Sequence, residues 1–222
     1  MTTPHDWLAW QLADSAYPAG GFVHSSGIEA ALRQALLQAV DELDSMLRDV
    51  MVAAAHGVMP FADEAHRQPE AFERVDRLCD ATLLNPIAHR ASTEQGRAML
   101  SATSRVFERD GIARIDELCR SGKSPGHFAV VFGALCAYLG LTHEQVRRLM
   151  LFQLARSVVS ASIRLGMVGP IEGQKLIARS GELAEQLAGE IKIDIAQVCQ
   201  TAPMLDLAQA NHDRGYTRLF RS

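Results

Sequence analysis

Three sets of residues in this chain have types and spacings that could do chemistry: the run His24, Ser25, Ser26; the eight histidines; and Arg156 with Arg164, two cations in an apolar helical pattern. A histidine beside serines suggests nucleophilic catalysis, in which imidazole takes a hydroxyl proton while an acid orients the ring. No such base and acid stand at motif spacing here, and there is no G-x-S-x-G turn. Ser25 or Ser26 therefore reads as the cap of the helix that follows. Phosphate binding by the nearby glycines would need G-x-x-x-x-G-K-S/T after a strand, and neither is present. Imidazole is a good ligand for nickel and zinc, yet the histidines form neither H-x-x-x-H nor H-E-x-x-H, and Pro60 separates His56 from His66. Spacing thus predicts scattered surface or capping histidines and no stable metal site, with transient metal contact left open. The acidic pairs Asp63 with Glu64, Asp116 with Glu117 and Glu182 with Glu185 read as solvated helix faces.

Arg156, Ser160 and Arg164 recur every four residues and so share one helical stripe. A guanidinium in an apolar helix is costly without a partner. An internal salt bridge or carbonyl contact is the leading reading. The alternative is a groove or subunit interface where the guanidinium forks meet carboxylates.

These residues must be positioned by a chain of 222 residues, 48% hydrophobic and 22% charged. That balance suits one large soluble domain spanning residues 1–222. A formal charge of −4 without a basic cluster argues against nucleic acid as a partner. Cys79, Cys119, Cys136 and Cys199 are too dispersed for a zinc ribbon or redox motif and read as small core residues. Residues 1–10 lack the charged start and apolar run of a signal peptide, which predicts a cytoplasmic protein without disulfides. The uncharged stretch 126–142 is interrupted by His127, Gly133 and Gly140, and reads as a buried helix rather than a membrane span.

Nearly every periodic segment is helical, which predicts an all-α bundle of about ten helices. The expected segments are 8–16, 25–38, a third from Asp41 or Glu42 to His56, then one after Pro69 that stops near Leu84. Asn85 and Pro86 supply a cap and a first-turn proline for a long helix over 87–109. That helix carries an unusual polar set, Arg90, Ser92, Gly96 and Arg97. A short helix or connector over 112–118 precedes the apolar hairpin of 128–139 and 146–168, whose second arm opens at a Thr142–Gln145 capping box. Helices over 171–187 and 194–199 follow. Residues 203–222 read as an extended tail, whose Tyr216, Leu219 and Phe220 suit docking rather than solvation.

Three blocks of this chain carry a shared pattern. The first is DSAYPAGGFVHSSGIE at 14–29, where Pro18 sets its own backbone angle and Gly20 and Gly21 permit angles closed to other residues. The second comprises HFAVVFGALCAYLGL and SVVSASIRLGMVGPIEGQKLI. The third is the ending in which His212, Tyr216, Arg218, Leu219, Phe220 and Ser222 form H-x-x-x-Y-x-R-L-F-x-S. Together these blocks resemble the UreF family of urease accessory proteins. LLNPIAHRASTEQGRAML adds a weaker likeness through Asn85, Arg90, Ser92 and Gly96.

The resemblance implies an all-α scaffold without catalytic activity. It would form a homodimer, bind UreD (also called UreH) and recruit the GTPase UreG for nickel delivery to apo-urease. On that reading no cofactor is held stably, since nickel and GTP are handled by the partners. The tail, with Tyr216, Arg218 and Phe220, would dock on UreD, and His212 and Leu219 would belong to the same partner-binding segment. The loop residues Pro18, Gly20, Gly21, Phe22 and His24 would shape a partner or dimer surface, and Arg156 and Arg164 remain structural or interfacial. The competing reading is a helical-bundle enzyme or small-molecule binder with an Arg-lined pocket.

Overall fold

The computed structural model describes residues 4–19, 21–190, 192–214 and 218–221. These form eleven α-helices and no strand, so the all-α expectation holds with one helix more than anticipated. Helix α1 (Pro4–Ala13) stops three residues short of the expected Ala16. The Asp14 carboxylate accepts the Ala16 amide at 2.9 Å and its carbonyl the Tyr17 amide at 3.1 Å, turning the chain locally.

Helix α2 (Ile28–Arg33) is much shorter than the 25–38 segment that periodicity suggests. Ala35 takes a left-handed φ of 57°, and the Leu36 amide reaches back to the Ala31 carbonyl at 3.0 Å, which closes the helix end. Its start also differs. The cap is Gly27, although the Ser25 hydroxyl does accept the Glu29 amide at 3.4 Å.

Helix α3 (Val40–Gly57) opens with the Glu42 carboxylate accepting the Ala39 amide at 3.0 Å. Gly57 and Pro60 read in sequence as the end or a kink of this helix, yet Pro60 starts another. It lies in the first turn of α4 (Met59–Arg67), where a missing amide costs nothing. Helix α5 (Phe72–Thr82) is followed by α6 (Pro86–Val106), and Asn85 caps α6 as expected, accepting the Ile87 amide at 3.0 Å and the Ala88 amide at 3.3 Å. Helix α7 (Asp110–Arg120) is longer than the connector foreseen.

The hairpin of α8 (Phe128–Tyr138) and α9 (His143–Arg164) carries the predicted capping box. The Thr142 hydroxyl accepts the Gln145 amide at 3.2 Å, and the Thr142 amide donates to the Gln145 side chain at 2.9 Å. Helix α10 (Pro170–Glu190) completes the body, and α11 (Pro203–Ala210) packs on α2 and α6. Residues 194–199 hold only a 3-10 turn, Ile195–Gln197.

Helix α8 is the buried centre, packed against α4 and α6. Val130, Val131, Phe132, Leu135 and Cys136 are all fully covered, and each large side chain contributes about 1.5–3 kcal/mol by leaving water. Gly133 does not break this helix: a methyl group there would stand 2.8 Å from the Ala62 carbonyl carbon and closer still to its oxygen. Two backbones thus meet where the sequence suggested an interruption. Among the described residues, no helix is long and apolar enough to cross a membrane.

Several polar expectations change. The deeply buried arginine is Arg147 on α9, whose Nη1 donates to the Ala188 carbonyl at 2.5 Å and whose Nε lies 3.5 Å from the Asp63 carboxylate. Asp63 is correspondingly buried rather than solvated. Burial pushes its carboxyl above the usual range, with Arg147 and His143 opposing. Cys199 is exposed, unlike the core residue expected.

Candidate functional site

The C-terminal segment is not an extended tail among the described residues. It forms α11 and a 3-10 turn, His212–Arg214, and then runs back against the N-terminal loop. The cause is the carboxylate of Glu29 on α2. It accepts the Leu219 amide at 2.7 Å and the Phe220 amide at 3.0 Å, while Arg33 balances its charge at 3.2 Å. An isolated carboxylate would be costly to bury, and the two amides and the guanidinium offset that cost.

Further bonds secure the same segment. The Arg221 amide donates to the Val23 carbonyl at 2.8 Å, and His212 Nε2 donates to the Phe220 carbonyl at 3.2 Å. Arg90 on α6 forks onto Asp213 through two bonds of 3.0 Å, which holds the Asp213 carboxyl below its usual range. Arg218 also pairs with Asp213. Asn85 joins α6 to α11 through Asp206, donating at 2.8 Å to its carboxylate and at 2.9 Å to its carbonyl.

Beneath the tail lies a cavity of about 650 Å³ between the 14–26 loop, α6, α9 and the C-terminal segment. Tyr17, Ser160, Arg156, Arg164 and Phe220 all line it. The leading reading for the arginine stripe holds for Arg156, which donates to the Ala13 carbonyl. Arg164 lies over the Phe220 ring, 4.2 Å from its centroid. The loop is pinned on the opposite side by Tyr17, whose hydroxyl donates to Thr103 at 2.7 Å, because Thr103 gives its own proton to the Met99 carbonyl.

The sequence-predicted residues therefore converge, but they divide by burial. His24, His212 and Phe220 are buried, whereas Pro18, Arg218 and Leu219 are exposed. Gly21 sits in a 3-10 turn, Gly21–Val23, without a left-handed φ; the unusual backbone falls instead at Ser26, φ 54°, and Gly27, φ 85°. Gly20, Tyr216 and the Phe22 side chain lie outside the described residues. Burial holds the imidazoles of His24 and His212 below the ordinary histidine range.

Glu29, Arg90 and Asp213 emerge as the holding residues of this site. A glutamate amid the apolar residues of α2 was the available signal for the first, and the polar set on α6 for the second.

One group of possible metal ligands also assembles. Asp80 Oδ1 lies 2.7 Å from His89 Nε2 and 3.0 Å from His127 Nε2, and the three ligand atoms lie within 4.8 Å of one another. They come from α5, the first turn of α6 and the residue before α8, so no spacing rule within one helix could reveal them.

Comparison with known proteins matches the chain to the UreF family model over residues 2–181. Urease accessory protein F of Arabidopsis thaliana is 34% identical over 221 residues, covering 97% of this chain and 92% of that protein. Its counterpart in Oryza sativa subsp. indica is 33% identical, covering 96% and 84%. Urease accessory protein UreF of Mycobacterium tuberculosis is 32% identical, covering 95% and 96%.

Proposed function

Because this chain belongs to the UreF family of urease accessory proteins, which are helpers in urease maturation rather than enzymes, we propose that it is a scaffold of the nickel-insertion assembly. It works as a homodimer, binds UreD (UreH) and brings the GTPase UreG to apo-urease, leaving nickel delivery and GTP hydrolysis to those partners. The single observation that carries the docking surface is the Glu29 carboxylate under Leu219 and Phe220. By holding the backbone there, it sinks Phe220 and turns Leu219 outward, 53% exposed, beside Arg218 and Val23. An exposed leucine rimmed by cations is the composition of an interface anchor with a polar edge.

Co-purification of UreD and UreG with the full chain tests this reading. Leu219→Ser and Arg218→Ala are expected to reduce recovery of UreD while the protein stays folded. Deleting residues 215–222 is a harsher test, since it also uncovers Glu29. Normal UreD recovery with both substitutions would overturn the docking assignment.

The small-molecule reading rests on the cavity containing Arg156 and Arg164. It ranks second because Arg156 already serves the Ala13 carbonyl and Arg164 the Phe220 ring.

A further inference from the structure

We propose that Asp80, His89 and His127 form a binding site for a borderline divalent cation of the nickel–zinc class. The site stands on its own geometry and does not depend on the docking surface. Two neutral imidazoles and one carboxylate form a donor set suited to nickel, cobalt or zinc, whereas magnesium and calcium prefer all-oxygen surroundings.

Three features make this more than a chance cluster. First, both Nε2 atoms converge on one oxygen, Asp80 Oδ1, at 2.7 and 3.0 Å, with the two rings edge-to-face at a centroid separation of 4.8 Å. Donor atoms of a tetrahedral site with bonds of about 2.1 Å stand about 3.4 Å apart. A cation therefore needs Asp80 Oδ1 to draw back from each nitrogen by less than about 1 Å, with the three ligand atoms already within 4.8 Å of one another.

Second, the deepest ligand is held from behind. His127 is fully buried, its Nδ1 lies 3.1 Å from the Ser92 hydroxyl, and its backbone amide donates to Asp76 at 2.8 Å. Ser92 also accepts the Phe128 amide at 3.2 Å. Gly96, one turn beyond Ser92, keeps this arrangement close: a methyl group there would stand 2.8 Å from the Phe128 nitrogen. Such support behind a ligating histidine fixes ring orientation and raises metal affinity.

Third, the site opens on one side. The Asp80 and His89 side chains are 42% and 37% exposed, against none for His127. A cation can enter, keep water in its remaining positions and leave again, which suits temporary holding rather than a closed structural centre.

The proton balance is simple. With both Nε2–H groups donating to Asp80, each imidazole must change tautomer, carrying its proton on Nδ1, before its Nε2 lone pair can bind metal. For His127, the Nδ1–H group then donates a hydrogen bond to Ser92 Oγ. No net proton is released when both rings begin neutral.

Titration of the full-length protein with Co²⁺, followed by visible absorption, and with Ni²⁺ and Zn²⁺, followed by calorimetry, tests the site. One cation per chain is expected, with affinity at least tenfold weaker in His89→Ala and in Asp80→Asn and unchanged in Cys199→Ser. In ¹⁵N-histidine spectra of the unaltered protein, paramagnetic Co²⁺ should broaden His89 and His127 before the other histidines. Absence of stoichiometric binding, broadening elsewhere first, or loss of binding only in Cys199→Ser would overturn the proposal.

Discussion

Glu29 receives the Phe220 amide at 3.0 Å across 191 positions of sequence, so a residue near the start of the chain determines where its end lies. The Leu219 amide at 2.7 Å and Arg33 at 3.2 Å complete the environment of that carboxylate. Glu29→Ala should lower stability by roughly 2 to 4 kcal/mol, since two amides lose a charged acceptor. Glu29→Gln, which retains one acceptor oxygen, should cost less. Urea unfolding measures both, and limited proteolysis should cut near residue 218 sooner in the alanine variant. Equal midpoints for all three proteins would refute the role given to Glu29.

Arg164 and Phe220 contribute a second, independent hold on the tail through their 4.2 Å stacking. A double-mutant cycle with Arg164→Gln and Phe220→Leu should return a coupling of about 1 kcal/mol. A coupling indistinguishable from zero would mean that the two side chains are merely adjacent.

Gly133→Ala places a methyl group against the Ala62 backbone, which has no flexible end to move aside. Overpacking of this kind costs about 1–3 kcal/mol. Thermal unfolding should show a clear loss for Gly133→Ala and a gain of about 0.5–1 kcal/mol for Gly181→Ala, where a Cβ meets open space apart from its own helix. A harmless Gly133→Ala would contradict the close packing of α4 on α8.

The two buried histidines of the site give it an acid sensitivity with a definite sign. Burial lowers the folded-state values of His24 and His212 from the ordinary 6.5. Below that value the unfolded chain binds protons that the folded chain resists, so stability falls with pH until the lowered folded values are reached. Above it both states are neutral at these positions and the dependence vanishes. Urea midpoints measured from about pH 7.5 down to about pH 5.5 should therefore decline, and less steeply in a His24→Gln, His212→Gln double variant. Parallel declines would assign the sensitivity to other groups.

What sequence reveals here follows the range of each interaction. The caps at Asn85 and Thr142 use partners two or three residues away, and both occur as expected. Apolar periodicity located most of the body but extended α2 past Ala35, because a left-handed alanine carries no compositional signal. Helix α4 was obscured by its first-turn proline, which reads as a break until its neighbours are known. The family motifs were legible at both ends, yet their union through Glu29 was not. Asp80, His89 and His127 were separately visible and collectively hidden, because their meeting depends on how three elements pack.

The Glu29 contact also imposes an order on synthesis. Leu219 reaches its place only by bonding a partner 190 positions earlier, so the surface around it forms only after that residue has been synthesised and has left the ribosome. Shorter nascent chains can hold much of the helical body without that surface.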